Sequence, residues 1–86
     1  MVGDEGYVRI QYNTKNDTRV TIKIFDFGMH LVRNLVQDKP RSGGEDYYEL
    51  WDGRNDNGVI VANGVYFYRL ELEGEKTVWG KIVVLN

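Results

Sequence analysis

The stretch Trp51-Asp52-Gly53-Arg54-Asn55-Asp56-Asn57-Gly58 gathers the side-chain oxygens of Asp52, Asn55, Asp56 and Asn57 within one short polar segment, and hard cations such as Ca²⁺ take ligands of that kind. The spacing departs from an EF-hand loop. There the ligands fall at positions 1, 3 and 5 with Gly at 6, whereas here Arg54 occupies position 3 and Gly58 position 7. The same residues make a turn without an ion, because Gly53 and Gly58 tolerate positive φ and Asx side chains bond to their own backbone. The turn is the preferred reading; Asp52, Asn55 and Asp56 are the candidate ligands if a metal binds.

A Ser-His-Asp constellation would have to use His30 and Ser42, the only histidine and the only serine. Ser42 sits in a Gly-rich loop that offers nothing to orient it as a triad requires. The thirteen acidic residues could supply a glycosidase-type pair, but none is flanked by the apolar context that raises a carboxyl pKa. Glu71 and Glu73 share the polar side of a strand opposite Leu70 and Leu72, which is a solvated face. The inventory therefore points away from an enzyme and calls for no cofactor.

Aromatic side chains carry the remaining binding chemistry. Trp51 precedes a tight turn at a strand end, the place of a plug between two sheets. Tyr66 and Tyr68 read as core rings whose hydroxyls reach backbone at the edge of the sandwich, and Ile22 and Ile24 are expected to be buried with them and Trp51 between the two sheets. Phe67 and Trp79 are the candidate exposed aromatics: side by side on an outer face they could stack on a sugar ring or a partner protein, or else be covered by loops or a neighbouring domain.

The elements that must hold these residues are strands. Val8, Ile10 and Tyr12 alternate with Arg9 and Gln11, and Val20, Ile22 and Ile24 alternate with Thr21 and Lys23; with the turn-forming residues 13–17 between them, these runs read as a hairpin. Residues 29–36 fit either a strand or a short helix, and strand is preferred because eight residues are marginal for a helix and no good capping residue precedes them. A polar loop over 37–46, with the only Pro and a Gly-Gly pair, then leads to a third clear strand over 47–51. A bulge near Glu49 or Leu50 would let both Leu50 and Trp51 be buried. Residues 65–73 place Tyr66, Tyr68, Leu70 and Leu72 on one face, and Glu73-Gly74-Glu75-Lys76 turns the chain into a last strand over 77–85. Its two faces are both apolar, Val78, Ile82 and Val84 against Trp79, Val83 and Leu85. It is either central or displays Trp79 to a partner, and it is expected to pair inside a sheet, since uncovered it would invite aggregation.

Six or seven short strands without a confident helix describe an all-β, two-sheet antiparallel sandwich of about seven strands, one domain over residues 1–86. A chain of 86 residues with net charge −2 has one modest core and no basic stripe for phosphates, so nucleic acid is not an expected partner. Without Cys there is neither a disulfide framework nor a thiolate metal site, and secretion stays compatible. The longest apolar runs, 59–62 and 82–85, are too short for membrane insertion or for a signal-peptide core; export would rely on an upstream segment.

Residues 20–26, Val32-Arg33-Asn34-Leu35-Val36, the Trp51 to Gly58 stretch and Ala62-Asn63-Gly64-Val65-Tyr66-Phe67-Tyr68-Arg69-Leu70 together resemble the Ig-like domain of flagellar hook-capping proteins. They are equally similar to the C-terminal sorting domains of type IX secretion. The likeness runs over about residues 8–86, and it includes the ending Lys81-Ile82-Val83-Val84-Leu85-Asn86, which looks like the closing strand of a sorting domain. The chain departs from those domains in lacking an Asn-Pro-Phe-Asn-Pro-type opening and in carrying Phe27-Gly28-Met29-His30 in place of their usual turn. The resemblance implies an Ig-like, fibronectin-like fold and a non-catalytic module of a secreted or cell-surface bacterial protein, used for assembly, spacing or sorting. Its partners would then be other domains of the parent chain and the secretion or assembly machinery. The alternative is a carbohydrate- or ligand-binding module attached to a secreted hydrolase, with polysaccharide as partner and Phe67 and Trp79 as the stacking surface.

Overall fold

The computed structural model describes residues 7–75 and 77–85 of the chain; Met1, the Lys76 end of the expected turn and the terminal Asn86 lie outside them. Six strands follow in order: β1 (Val8–Asn13), β2 (Thr18–Phe25), β3 (Leu31–Arg41), β4 (Asp46–Trp51), β5 (Gly64–Leu72) and β6 (Thr77–Val84). They form two antiparallel sheets, a four-stranded one ordered β3-β2-β5-β6 and a two-stranded one of β1 and β4. The described residues thus hold six strands in place of about seven, and no helix.

The core is built by the inward halves of alternating strands. Val20, Ile22 and Ile24 from β2, Tyr66 and Leu70 from β5, and Ile82 and Val84 from β6 meet Ile10 and Tyr12 from β1 and Trp51 from β4. Trp51 is fully buried. Its indole packs edge-on against Tyr66 at 5.7 Å and donates from Nε1 to the Arg54 carbonyl at 3.0 Å, which joins the two sheets and pins the start of the next loop. The Tyr66 hydroxyl donates to the Ala62 carbonyl at 2.7 Å, so the ring is buried with its polar end satisfied.

Four sequence expectations are corrected. First, β1 does not form a hairpin with β2; it pairs with β4, Val8 opposite Trp51 through Asn13 opposite Asp46. The two apolar faces meet across the core and not side by side in one sheet, a distinction that period-two alternation does not encode. The linker between them bonds to the residues leading into β4, Thr14 donating its amide to the Glu45 carbonyl at 3.2 Å and its buried hydroxyl to the Ser42 carbonyl at 2.7 Å.

Second, β3 continues to Arg41, so the expected loop over 37–46 shrinks to residues 42–45. Pro40 is tolerated because β3 is an edge strand and needs no outward N–H, and the register against β2 shifts more than once to absorb its irregularity. Asp38 takes positive φ and donates its amide to the Thr21 hydroxyl at 3.1 Å.

Third, β4 keeps a regular register with β1 and has no bulge. Trp51, Glu49 and Tyr47 face inward, and Leu50 is left 43% exposed. The inward carboxylate of Glu49 is matched: it accepts from the Tyr12 hydroxyl at 2.7 Å and from Arg41 at 2.8 Å. Burial first, and the Glu49 carboxylate second, push the Tyr12 phenol up to about 12.

Fourth, Tyr68 is only half-buried. Its ring lies over Gly80 of β6, which stands opposite it, so closely that a Cβ there would overlap the ring. Gly80 supplies the room.

Candidate functional site

Where the inward residues make the core, the outward residues of the four-stranded sheet make a surface. Along β5 these are Val65, Phe67, Arg69 and Glu71; opposite them stand Trp79 and Lys81 on β6 and Phe25 and Lys23 on β2. Phe67 and Trp79, singled out from the sequence, therefore do share the outer face, two positions apart across the β5–β6 pair. They are not in the same state. Trp79 is 48% exposed and leans on Phe25 at 5.7 Å with the ring planes 39° apart. Phe67 is partly covered by Phe27, tilted 32° at 6.3 Å.

Phe25 and Phe27 were missed from the sequence as site residues. The signal was present in their spacing: Phe25-Asp26-Phe27 sets one ring on the last residue of β2 and a second two residues on, in the turn that follows, and Phe27 is 76% exposed. Arg69 was missed as well. Its guanidinium lies 5.0 Å from the Phe25 ring centroid and 5.6 Å from that of Trp79, within cation–π range of both. Its Nε is 2.8 Å from Glu71 Oε1, close enough for an ion pair though without hydrogen-bond alignment. Three cations, Lys23, Arg69 and Lys81, thus interleave with four aromatic rings, and Glu71 is the anion among them. Such a face can stack on a flat apolar ligand and attract an anionic one.

The last strand is placed at the margin of this sheet. Lys81, Ile82, Val83 and Val84 belong to β6, and Leu85 follows it. The strand pairs with β5 over eight residues, Gly64 opposite Val84 through Glu71 opposite Thr77, and no strand lies on its other side among the described residues. It is therefore neither central nor covered on both faces: Ile82 and Val84 are buried inward while Trp79, Lys81 and Val83 are exposed outward, as is Leu85.

The Asp52–Gly58 loop lies apart from that face. Asp52 Oδ1 accepts from the Arg54 amide at 3.0 Å, and Asn55 Oδ1 accepts from the amides of Asn57 and Val59 at 2.9 and 3.0 Å. Asp56 reaches across to β3, accepting from the Asn34 amide at 3.0 Å and donating its own amide to the Val32 carbonyl at 3.0 Å. Arg33 stands between the two carboxylates, 3.7 Å from Asp52 and 3.9 Å from Asp56. Gly53 and Gly58 hold the positive φ the turn requires. The three candidate ligands are thus engaged by backbone amides and by two guanidinium groups, Arg33 and, 4.0 Å from Asp52, Arg54, and a cation would have to displace Arg33.

At the same end of β2, where Asp26 lines a cleft with Asn55 and Asp56 of that loop, Asp26 accepts from the His30 amide at 2.9 Å and meets the His30 ring at 3.2 Å. The backbone bond, more than the imidazole, holds the Asp26 carboxyl below the usual carboxylate range. Both side chains belong to an exposed turn before β3, and Ser42 lies just past the far end of that strand. The structure does not bring His30 and Ser42 together.

Comparison with protein-family models, with curated proteins and with solved structures finds no match for this chain.

Proposed function

We propose that the chain is a non-catalytic, Ig-like accessory module of a secreted or cell-surface bacterial protein, serving assembly, spacing or C-terminal sorting by presenting the outer face of its four-stranded sheet to a partner. The observation that carries this reading is the division of labour in β5 and β6. Their inward residues complete the core, while Phe67, Arg69, Trp79 and Lys81 line a face on which aromatic rings and cations alternate. Two sheets joined through Trp51, and segments ordered as in hook-capping and sorting domains, support the Ig-like part of the reading. The partner is protein: another domain of the parent chain or the secretion or assembly machinery.

A second reading, a polysaccharide-binding module, is favoured by the half-exposed indole of Trp79, since sugars stack on such rings. The experiment is a pull-down with insoluble polysaccharides beside an export assay of the parent protein. Removing Lys81 onward would also delete the buried Ile82 and Val84 and unfold the domain, so the informative variants are Phe27→Ala and Trp79→Ala. Loss of export or incorporation with the upstream activity intact supports assembly or sorting. Loss of polysaccharide retention supports the second reading, and neither effect in folded variants leaves a spacer.

A further inference from the structure

The two long edges of the four-stranded sheet are treated differently by the sequence. At β3, the Asp56 backbone and carboxylate bond to Val32 and Asn34. Further along, Asp38, Lys39, Pro40 and Arg41, with repeated register shifts, blunt what remains. Charges, Pro and bulges are the usual protections against edge-to-edge pairing. At β6 none of these is present apart from Lys81: the strand is eight residues long, regular against β5, and leaves its outer row of backbone groups without a strand partner among the described residues.

We infer that β6 is a self-pairing edge, at which a second copy of this chain adds antiparallel about a two-fold axis through Gly80. The commitment to a second copy comes from the strand's own side chains. With Gly80 opposite Gly80 of the second copy, each Trp79 stands opposite a Lys81, so the one charged residue of the strand lies beside an indole twice over, a favourable cation–π pair. On the same outer face Thr77 stands opposite Val83, and on the inner face Val78 stands opposite Ile82, apolar against apolar. Moving the axis by one residue sets Lys81 against Lys81, or Trp79 against Trp79 with Gly80 opposite Val78. The isologous contact closes on itself, as a two-fold interface must, and makes one eight-stranded sheet.

The surroundings agree. Beside β6, the space between the two sheets is open toward β1 as two clefts. One, of about 590 Å³, is lined by Tyr12, Leu70, Leu72 and Val78 among others; the second, of about 410 Å³, by Val8, Ile10, Tyr68 and Ile82. The two-fold axis keeps both small sheets on the same side, so the clefts of the two copies face one another across the joint. This inference rests on the edge and not on the outer-face function, and its test uses no other partner.

Because the chain has no cysteine, a Thr77→Cys/Val83→Cys variant reports the register directly. In one copy the two thiols sit at opposite ends of a strand and cannot join; in the dimer they stand opposite each other. Mild oxidation is expected to give a disulfide-linked dimer, and sedimentation equilibrium of the unmodified chain a concentration-dependent monomer–dimer equilibrium. Lys81→Glu, at an exposed position, is expected to weaken association by about fivefold to thirtyfold through loss of two cation–π pairs. A monomer throughout the concentration series with no cross-linked product would overturn the inference. So would a dimer that neither cross-links nor responds to Lys81→Glu, because it would use another surface.

Discussion

Single residues separate what this chain needs to fold from what it presents. Trp51 fills the space between the sheets and has its N–H satisfied, so Trp51→Ala removes both a large ring and an inter-sheet tie. The expected cost is about 3–5 kcal/mol, seen as a fall in Tm of more than about 10 °C for a domain of this size. Gly80 is the inverse case: Ala adds only a methyl group, but it meets the Tyr68 ring. Gly80→Ala should cost about 1–3 kcal/mol by overpacking, and a Tyr68→Leu background should recover part of that loss; equal effects in both backgrounds would mean the contact is not the cause. Tyr12 gives a pH signature. Its phenol is held neutral up to about 12 in the fold and titrates near 10 when unfolded. The unfolded state therefore releases the proton first, and the associated stability is fully present below pH 10 and lost as pH rises toward 12. Denaturant melts should show this decline, on the order of 1–3 kcal/mol, and Tyr12→Phe should flatten it.

At the scale of elements, the strands were legible in the sequence to the degree that one face of each is wet. Alternation located the inward residues of β1, β2 and β5, whereas short length and the lack of a cap chose strand over helix for the segment that became β3. Alternation could not choose neighbours, because a wet face is equally wet whichever strand lies alongside, and so β1 was assigned to β2 when its partner is β4. It also stopped β3 too early: Asp38, Lys39, Pro40 and Arg41 are loop residues by composition, and only an edge position makes them acceptable in a strand. For β4 the apolar character of Leu50 suggested burial, which the regular register denies it. The candidate site was half legible. Phe67 and Trp79 follow from strand parity, whereas the contribution of Phe25, Phe27 and Arg69 depends on β2 lying next to β5, which no local pattern states. The Asp52–Gly58 loop belongs to this scale too. Its oxygens hold amides and face Arg33, so a chelator should leave Tm unchanged, whereas saturating Ca²⁺ bound there at a hundred times its dissociation constant would add about 2.7 kcal/mol. Arg33→Ala should lower Tm modestly and leave Asp56 without a guanidinium and Asp52 with only Arg54, at 4.0 Å. A calcium-dependent rise of several degrees in that variant, absent from the parent sequence, would show that the guanidinium occupies the place of a cation.

Taken whole, the molecule is a small sandwich with unequal sheets: the two-stranded one covers the core, and the four-stranded one carries core residues inside and an aromatic, cationic face outside. Core and face share β5 and β6 but alternate along them, so the outward residues can change without emptying the interior. That separation is what an accessory module needs, since it must stay folded while its surface is fitted to a partner. The proposal that the outer face does the recognising is tested most directly by the parent protein carrying Phe27→Ala and Trp79→Ala together, scored for export or incorporation alongside the Tm of the isolated domain. The account predicts a domain that still melts cooperatively, a few degrees lower because Trp79 leaves Phe25, in a parent protein that is no longer exported or incorporated. Full export and incorporation with both rings gone would contradict it.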